Sequence, residues 1–300
     1  MTEDSAPRQV LVTGAGGFAA QQIIRELTGR GHKVSALFRS EESANKANLP
    51  EGATATICDL SEGTEGLARS YDAVVHTAAN APPRPSIPSL LYRDNIVATK
   101  NLLDHLTTGG SGKLIFFSSL SVYGQIQADV VDEETEIRNP DPYGQSKLFC
   151  EEMIREVERT LPSVSLRLPG LIGAGLVATG AGPFLARALR SFRAGEDVSA
   201  FNPDARFNNA LDVVDLARFT ADLVERDLEG ALTLTLASAG MTRVRDALKI
   251  LEVGSSANGL LRIVPGVKPS FTISIDRAVG NFSFSPKTIE QALTEFAKQG

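Results

Sequence analysis

Tyr143 and Lys147 stand four residues apart in the run Asp141-Pro142-Tyr143-Gly144-Gln145-Ser146-Lys147-Leu148-Phe149-Cys150-Glu151-Glu152. On a helix that spacing puts both side chains on one face, one turn apart. A free tyrosine titrates near ~10 and hardly ionises at neutral pH. An ammonium beside it favours the anion and makes the phenol a usable proton donor and acceptor. The same spacing occurs on ordinary solvated helix faces, so the pair takes its meaning from the rest of the chain.

That meaning comes from the N-terminus. Gln9-Val10-Leu11-Val12-Thr13 runs into Gly14-Ala15-Gly16-Gly17-Phe18-Ala19-Ala20, followed by apolar residues at helical period, Ile23, Ile24 and Leu27. Strand, glycine turn and helix in that order are the context of a dinucleotide fingerprint. Gly14 permits the tight turn. Gly17 lets a pyrophosphate approach the backbone, where the helix N–H groups and positive dipole end meet it. Ala20 is small enough for the helix to pack on the strand.

The elements that must position these residues follow an alternating pattern. Strands are expected at 10–13, 34–38, 54–57, 73–76, 113–118 and 165–168, with helices at 19–30, 65–69, 92–106 and 146–160 between them. Such alternation implies an α/β fold with a doubly wound parallel sheet, the Rossmann arrangement, and a ligand outside the carboxyl ends of the strands. After Pro169 the texture changes: 173–182 is glycine-rich, and Pro183–Arg193 reads as an amphipathic helix carrying Arg187, Arg190 and Arg193. The proline-rich run 80–86 follows a strand and borders the expected cleft, as a stiff connector or as a lid.

Composition sets limits on partners. The chain has 300 residues, 42% of them hydrophobic, and a formal net charge of −6. That is enough apolar residue for a sizeable core, and the interspersed charge argues against nucleic acid or an anionic membrane as the main partner. Cys58 and Cys150 lack metal-ligand spacing and read as reduced core or near-core thiols, so no metal is expected. No apolar run approaches membrane-spanning length. Residues 1–8 lack a signal-peptide layout and read as a frayed tail, leaving the cytoplasm as the expected compartment.

With these motifs in series, the chain resembles the extended short-chain dehydrogenase/reductase superfamily, in the branch of nucleotide-sugar epimerases, dehydratases and 4-keto reductases. Residues 13–20 resemble its cofactor turn, with Ala20 in place of the usual third glycine. The resemblance implies cofactor contacts from Gly14, Gly16, Gly17, Phe18 and Ala19. It implies adenine contacts from Asp59-Leu60 and ribose contacts from Thr77, Ala78 and Ala79 in His76-Thr77-Ala78-Ala79. Phe116-Phe117-Ser118-Ser119-Leu120-Ser121-Val122-Tyr123-Gly124 is similar to the strand end with the catalytic hydroxyl, which falls on Ser119, with Ser118 as its neighbouring candidate. Tyr143 and Lys147 match the catalytic pair, Lys147 also holding the nicotinamide ribose, and Pro169 lies on the cofactor side. Asn95 sits in a segment like the helix bordering the active site. The segment 208–217 resembles the part that returns to the sheet, and 284–290 the closing motif. The implied organisation is a dinucleotide-binding domain over 1–170, rejoined by 207–240, and a smaller substrate-binding α/β region over 171–206 and 241–300. A homodimer through the helices at 92–106 and 146–160 is also implied; the alternative for Glu151, Glu152, Arg155 and Glu158 on the second helix is a solvated face.

The cofactor is read from the end of the second strand. An acid there would bond the adenosine ribose and repel a 2′-phosphate. Leu37-Phe38-Arg39-Ser40 has none, and Arg39 can pair a phosphate in bidentate fashion. NADP is therefore expected, with NAD as the alternative. Glu41 and Glu42 read as the start of the next helix. An NADP preference favours a net reductase over an epimerase that recycles its cofactor. Dehydration is disfavoured because Leu120-Ser121 follows Ser119 where dehydratases carry an acidic pair.

Hydride addition to a carbonyl builds negative charge on oxygen, and hydrogen bonds aimed there act on the transition state. Tyr143 would supply the proton, Ser119 a second hydrogen bond, and Lys147 the charge that lowers the Tyr143 pKa. The substrate contacts implied are Asn80, Ser119, Ser121, Tyr143 and Arg206. Nucleotide-sugar members carry Asn where this chain has Gly170, which leaves room for other carbonyl compounds. Three functions stay open: an NADP-dependent reductase of a sugar-like carbonyl such as a nucleotide 4-keto sugar, an NAD(P)-retaining nucleotide-sugar 4-epimerase, and a non-catalytic NADP sensor.

Overall fold

The computed structural model describes residues 6–81, 87–176, 183–256, 258–264 and 270–299. The strands are β1 Gln9–Thr13, β2 Lys33–Phe38, β3 Ala53–Ile57, β4 Ala73–His76, β5 Leu114–Ser119, β6 Val130–Val131, β7 Ser163–Leu168, β8 Gly170–Ile172, β9 Val198–Ala200, β10 Arg206–Phe207, β11 Ala210–Asp212, β12 Ala231–Thr235, β13 Thr242–Arg243, β14 Leu261–Ile263 and β15 Thr272–Ile273. The helices are α1 Phe18–Gly29, α2 Glu41–Asn45, α3 Pro88–Leu91, α4 Ala98–Gly109, α5 Pro142–Glu156, α6 Phe184–Arg193, α7 Val213–Glu225, α8 Val244–Ser255, α9 Asp276–Phe282 and α10 Ile289–Gln299, with a π-turn over Tyr92–Val97 and a 3₁₀ turn over Leu120–Tyr123.

The chain divides into two units. The first holds Met1–Gly124, Asn139–Arg167 and Ala217–Leu234. Its seven-stranded sheet has the order β12-β7-β5-β4-β1-β2-β3. The pairings β1–β2, β2–β3, β1–β4 and β4–β5 are parallel. The central strands are continuous apolar runs: Val10, Leu11 and Val12 on β1 and Ala73, Val74 and Val75 on β4 are all fully buried. Burial on both faces is what parallel strands covered by helices require. The strand order reverses between β1 and β4, where Thr13 pairs with His76, and that switch point is where such sheets bind ligands. The α1 stripe Ala20, Ile23, Ile24 and Leu27 is buried, as its period demands.

Three expected elements differ. Residues 65–69 form turns rather than a helix, because Gly66 adopts a φ of +90° that no helix holds. The helix expected from residue 92 starts at Pro88 and widens into the π-turn before α4 continues it. The helix expected over 146–160 runs over Pro142–Glu156. Asp141 caps it by accepting from the Gly144 N–H at 2.7 Å, and Pro142 occupies the first helical position, where its missing N–H costs nothing. Arg8 is not frayed: its guanidinium donates to the Glu225 carbonyl at 2.7 Å. Residues 82–86 of the proline-rich run, 177–182 of the glycine-rich run 173–182 and residues 1–5 lie outside the described residues.

The second unit holds Gln125–Arg138, Leu168–Leu216 and Thr235–Gly300. It is built from two-stranded pairs, β8–β11, β9–β14 and β6–β15 in parallel and β10–β13 antiparallel. Asn208 bridges to Ile273 through both backbone groups, at 2.9 and 2.8 Å. In the closing segment, Lys287 pairs with Asp212 at 3.1 Å and with Asp215 at 3.5 Å.

Candidate active site

The glycine turn is built for a close approach. Gly14 has a φ of +66°, and a Cβ on it would meet the Ala78 backbone at 2.8 Å, so only glycine lets the loop after β4 lie against the loop after β1. Thr77 donates its hydroxyl to the Thr13 carbonyl at 2.7 Å, and the Ala78 N–H donates to Thr13 Oγ1 at 3.1 Å. A Cβ on Gly17 would stand 3.1 Å from the Gly14 carbonyl. Gly17 is the N-cap of α1, with no capping side chain and no acid in the first turn. The twelve-residue helix therefore presents its first N–H groups and positive dipole end at the carboxyl edge of β1. This donor set and the glycine cradle fit a dinucleotide pyrophosphate, with Gly14, Gly16, Gly17, Phe18 and Ala19 at the turn.

The hydroxyl of Ser119 lies at the carboxyl end of β5 beside the Tyr143 phenol. Ser119 Oγ also accepts from the Ser121 N–H at 3.1 Å, which leaves its proton directed elsewhere. Gly144 makes the meeting possible: a Cβ there would collide with the Ser121 carbonyl, so the missing side chain lets the start of α5 press onto the 3₁₀ turn. Lys147, one turn after Tyr143, is 2% exposed, and its Nζ lies 4.2 Å from the Phe116 ring centroid. Ser146 ties the helix start down, donating to the Tyr143 carbonyl at 2.7 Å and accepting from Asn95 Nδ2 at 2.8 Å. Asn95 Oδ1 accepts from the Asn80 N–H at 2.7 Å, which fixes the loop holding Asn80.

The electrostatics differ from the expectation that Lys147 depresses Tyr143. Burial pushes the Tyr143 phenol up to about 12; the Ser119 hydrogen bond opposes this, and Asp141 and Cys150 add to it. Burial pulls the Lys147 ammonium down to about 8, against the raising influence of Cys150 and Glu151. Exclusion of water dominates both groups, since it penalises whichever form is charged. Behind them His76 sits at the switch point between Thr13 Oγ1, at 2.7 Å, and Thr99 Oγ1, at 3.0 Å. Burial first and Lys147 second lower its pKa to about 3, so it is a neutral bridge.

At the other end of the crevice edge, Arg39 is half exposed at the tip of β2 and stands 3.6 Å from Asp59 and 3.3 Å from Asp94. Asp94, in the π-turn, also takes Arg93 at 2.8 Å and Asn80 Nδ2 at 3.1 Å, and its carboxyl stays below the usual range through Arg93 and Arg39 despite burial. Asp59 Oδ1 accepts from Ser61 N and Oγ at 3.0 and 2.7 Å, while Leu60 is buried. Ser40 caps α2, accepting from the Ser43 N–H at 3.4 Å, and Glu41 and Glu42 form the first turn of that helix.

Other expected residues fall in the second unit. Pro169 and Gly170 belong to the second unit, as does Arg206, which is exposed on β10 opposite Arg243. Arg187 and Arg193 are exposed on α6, and Arg193 donates to the Ala297 carbonyl at 3.0 Å. A Cβ on Gly170 would meet the Pro183 ring at 2.9 Å, so the helix start at Pro183 fills the space a side chain there would need. Glu151 is not part of a solvated face: it is 2% exposed and paired with Arg167 at 2.7 Å. Its burial could have been read from Lys147, Cys150, Glu151 and Ile154, which recur at one helical stripe. Gly144 was also missed; its signal is a helix-weakening glycine in the first turn, which implies a close neighbour. Among the described residues, no group of three or more His, Cys, Asp or Glu is placed to hold a metal, and no helix is long and apolar enough to cross a membrane.

A sequence model described as the NAD dependent epimerase/dehydratase family matches residues 10–231. The chain belongs to this family. It spans about half the length of several curated relatives that it matches. The UDP-glucose 4-epimerase of Pisum sativum is 29% identical over 189 residues, 57% of this chain and 54% of that protein. A dTDP-4-dehydro-6-deoxy-D-allose reductase of a Streptomyces species is 27% identical, across 99% of this chain and 98% of its own. Among solved structures, the UDP-N-acetylglucosamine 4-epimerase from Methanobrevibacter ruminantium M1, in complex with UDP-N-acetylmuramic acid, has a TM-score of 0.81 at 20% identity, covering 98% of each chain. The Thermus thermophilus UDP-glucose 4-epimerase complex with NAD has a TM-score of 0.78 at 21% identity, covering 97% of this chain and 98% of that one. At such identity the structural likeness establishes the shared Rossmann-type α/β fold.

Proposed function

We propose that the protein is an NAD(P)-dependent oxidoreductase that moves a hydride between NADP(H) and a carbonyl or alcohol of a sugar-like substrate, such as a nucleotide 4-keto sugar. The observation that carries this reading is the placement of the Ser119 hydroxyl beside the Tyr143 phenol at the end of β5, with the buried Lys147 one turn below. The dinucleotide would lie along the glycine turn with its pyrophosphate on α1. Once bound, its nicotinamide supplies or accepts the hydride.

The chain's own groups handle the oxygen. With its pKa near 12, Tyr143 holds its proton at neutral pH and can release it to an oxygen that is gaining negative charge. Ser119, whose acceptor side is engaged by Ser121, donates a second hydrogen bond to the same oxygen. Lys147 places a cation in a site closed to water, where it favours both the developing anion and a ribose hydroxyl contact. Keeping all three groups argues against a sensor without turnover.

Arg39 supports NADP. Its two carboxylate contacts are longer than tight charge-assisted bonds, and its guanidinium is 53% exposed, so the fork can exchange a carboxylate for a 2′-phosphate. The same two carboxylates are the observation that favours the second reading, an NAD-retaining nucleotide-sugar 4-epimerase, since they suit ribose hydroxyls better than a phosphate. The names of the relatives point to both reactions. A homodimer belongs to the proposal, with Tyr92, 60% exposed, and Phe149, 49% exposed, as apolar surface beside α4 and on α5. A cytoplasmic setting suits the two free thiols, Cys58 and Cys150.

The test screens nucleotide-linked 4-keto sugars with the purified protein while following the absorbance of reduced nicotinamide. Tyr143→Phe should lower turnover by roughly 10²- to 10⁴-fold and leave NADPH binding unchanged; near-normal turnover removes the proposal. Tightly held cofactor on the purified protein, with interconversion of sugar epimers and no net NADPH loss, would select the epimerase.

A further inference from the structure

Glu151 is one helical turn beyond Lys147, on the same buried stripe, and its contacts reach two other strands. Ser118 donates its hydroxyl to Glu151 Oε1. Arg167, on β7 and 5% exposed, donates to the carboxylate from Nε at 3.1 and 3.2 Å and from Nη2 at 2.7 Å. The Arg167 guanidinium also lies 4.8 Å from the centroid of the Tyr123 ring and hydrogen-bonds its phenol. Tyr123 is fully buried at the end of the 3₁₀ turn. The pair therefore holds the residue before Ser119 through Glu151 and the turn after it through Arg167, and it anchors both to the helix of Tyr143 and Lys147.

Stability alone gives little reason for such a pair. Two charges taken out of water are often replaced by apolar residues of similar size without loss, whereas removing one partner is strongly destabilising. What the pair supplies is geometry. We propose that Glu151 and Arg167 are positioning residues, a buried bracket that fixes the Ser119 strand end against the turn of α5 that carries Lys147. This rests on the functional reading above and adds to it two residues that act through Ser119 and the helix of Lys147.

The bracket also has an electrostatic side. Among the described residues, the ionisable groups that act on Lys147 or lie on the elements beside its helix include His76 on β4, Tyr143, Cys150 and Glu151 on α5, Asp94 in the π-turn, Tyr123 in the 3₁₀ turn and Arg167 on β7. His76 is neutral, Cys150 is pushed up by burial, and Asp94 is taken by Arg39 and Arg93. Against the burial that lowers the Lys147 pKa, Cys150 and then Glu151 raise it; Glu151 is the carboxylate of the two, and Arg167 is the cation its charge offsets.

The test compares the wild type, Glu151→Gln, the double variant Glu151→Gln/Arg167→Met, and Lys147→Met. It uses amide hydrogen exchange across 114–124, NADPH affinity against pH, and thermal melting. In the wild type NADPH affinity should fall on the alkaline side as Lys147 loses its proton, and Lys147→Met should abolish that limb. Glu151→Gln, which leaves the Arg167 charge unbalanced, should move the limb to lower pH by about one unit or more. The double variant should melt close to the wild type and return the limb towards its original pH. It should still exchange the 118–123 amides about tenfold faster than the wild type, since the bracket is gone.

A limb abolished by Lys147→Met but unmoved by Glu151→Gln, or wild-type exchange at 118–123 in the double variant, overturns the inference and leaves the functional reading standing. A limb that survives Lys147→Met overturns the role of Lys147 at the dinucleotide, and the inference with it. If Glu151→Gln does not fold, exchange in the double variant decides.

Discussion

Replacing Lys147 by methionine should make the protein more stable while removing a group that the proposed chemistry needs. The ammonium is pulled from its ordinary 10.5 to about 8 because it is buried. At about 1.4 kcal/mol for each pH unit, that displacement corresponds to roughly 3 kcal/mol of penalty for holding the charge at neutral pH. Methionine has a similar reach and no charge, but it loses the cation–π contact with Phe116, worth up to about 2 kcal/mol where water is excluded. The net gain should be about 1 to 3 kcal/mol, an upward shift in Tm of a few degrees or more. The pH dependence has a definite sign. The folded-state pKa lies below the unfolded one, so between about pH 8 and 10.5 the unfolded chain keeps a proton that the native state has lost, and stability rises with pH. Lys113, also pulled down to about 8 by burial, adds a slope of the same sign, so the quantity to read is the difference between the two proteins. Urea titrations followed by circular dichroism at about pH 7 and about pH 9.5 should show a smaller gain in the variant than in the wild type. A variant less stable than the wild type at neutral pH, or equal slopes in the two proteins, would refute the reasoning.

Gly144→Ala separates packing from propensity: alanine should gain about 1 kcal/mol in a helix, yet collision with the Ser121 carbonyl should leave the variant about 1–3 kcal/mol less stable and lower its turnover. A variant that melts above the wild type would contradict that packing. His76, held neutral with a pKa near 3 against an ordinary 6.5, should make stability fall as pH drops below 6.5, by up to about 1.4 kcal/mol per pH unit. Urea midpoints at several acidic pH values should show this slope reduced in His76→Gln. Arg39→Ala should weaken NADPH binding by about tenfold or more with little change for NADH, as expected for loss of a charge-assisted contact; equal losses for both in a fluorescence titration would place Arg39 elsewhere in the site.

The first strand, its glycine turn and α1 were legible because they are local: a buried run, a turn that only glycine can make, and one apolar stripe. The crowding of Ala78 against Gly14 was not, since it comes from a strand more than fifty residues later in the chain. Tyr143 and Lys147 were found by spacing, but the helix begins earlier than its apolar pattern because Asp141 and Pro142 set its start. The sign of the Tyr143 shift was misjudged because helical spacing says nothing about excluded water, and burial is the largest influence on the phenol. Glu151 looked like surface since its partner sits on β7. The π-turn around Asp94 and Asn95 was invisible to a search at 3.6 residues per turn.

The division of the first unit into three stretches, Met1–Gly124, Asn139–Arg167 and Ala217–Leu234, bears on how the chain can be made. A ribosome delivers β1 to β5 early, but β7 comes later and β12, which closes that edge of the sheet, later still. Until then the nascent chain carries an incomplete sheet with an open edge and unpaired amides, the kind of surface that invites association between chains. Such late, distant pairings also slow folding. A chain truncated after α5 should therefore accumulate as insoluble material or bound to chaperones, even though Ser119, Tyr143 and Lys147 have all been synthesised by that point.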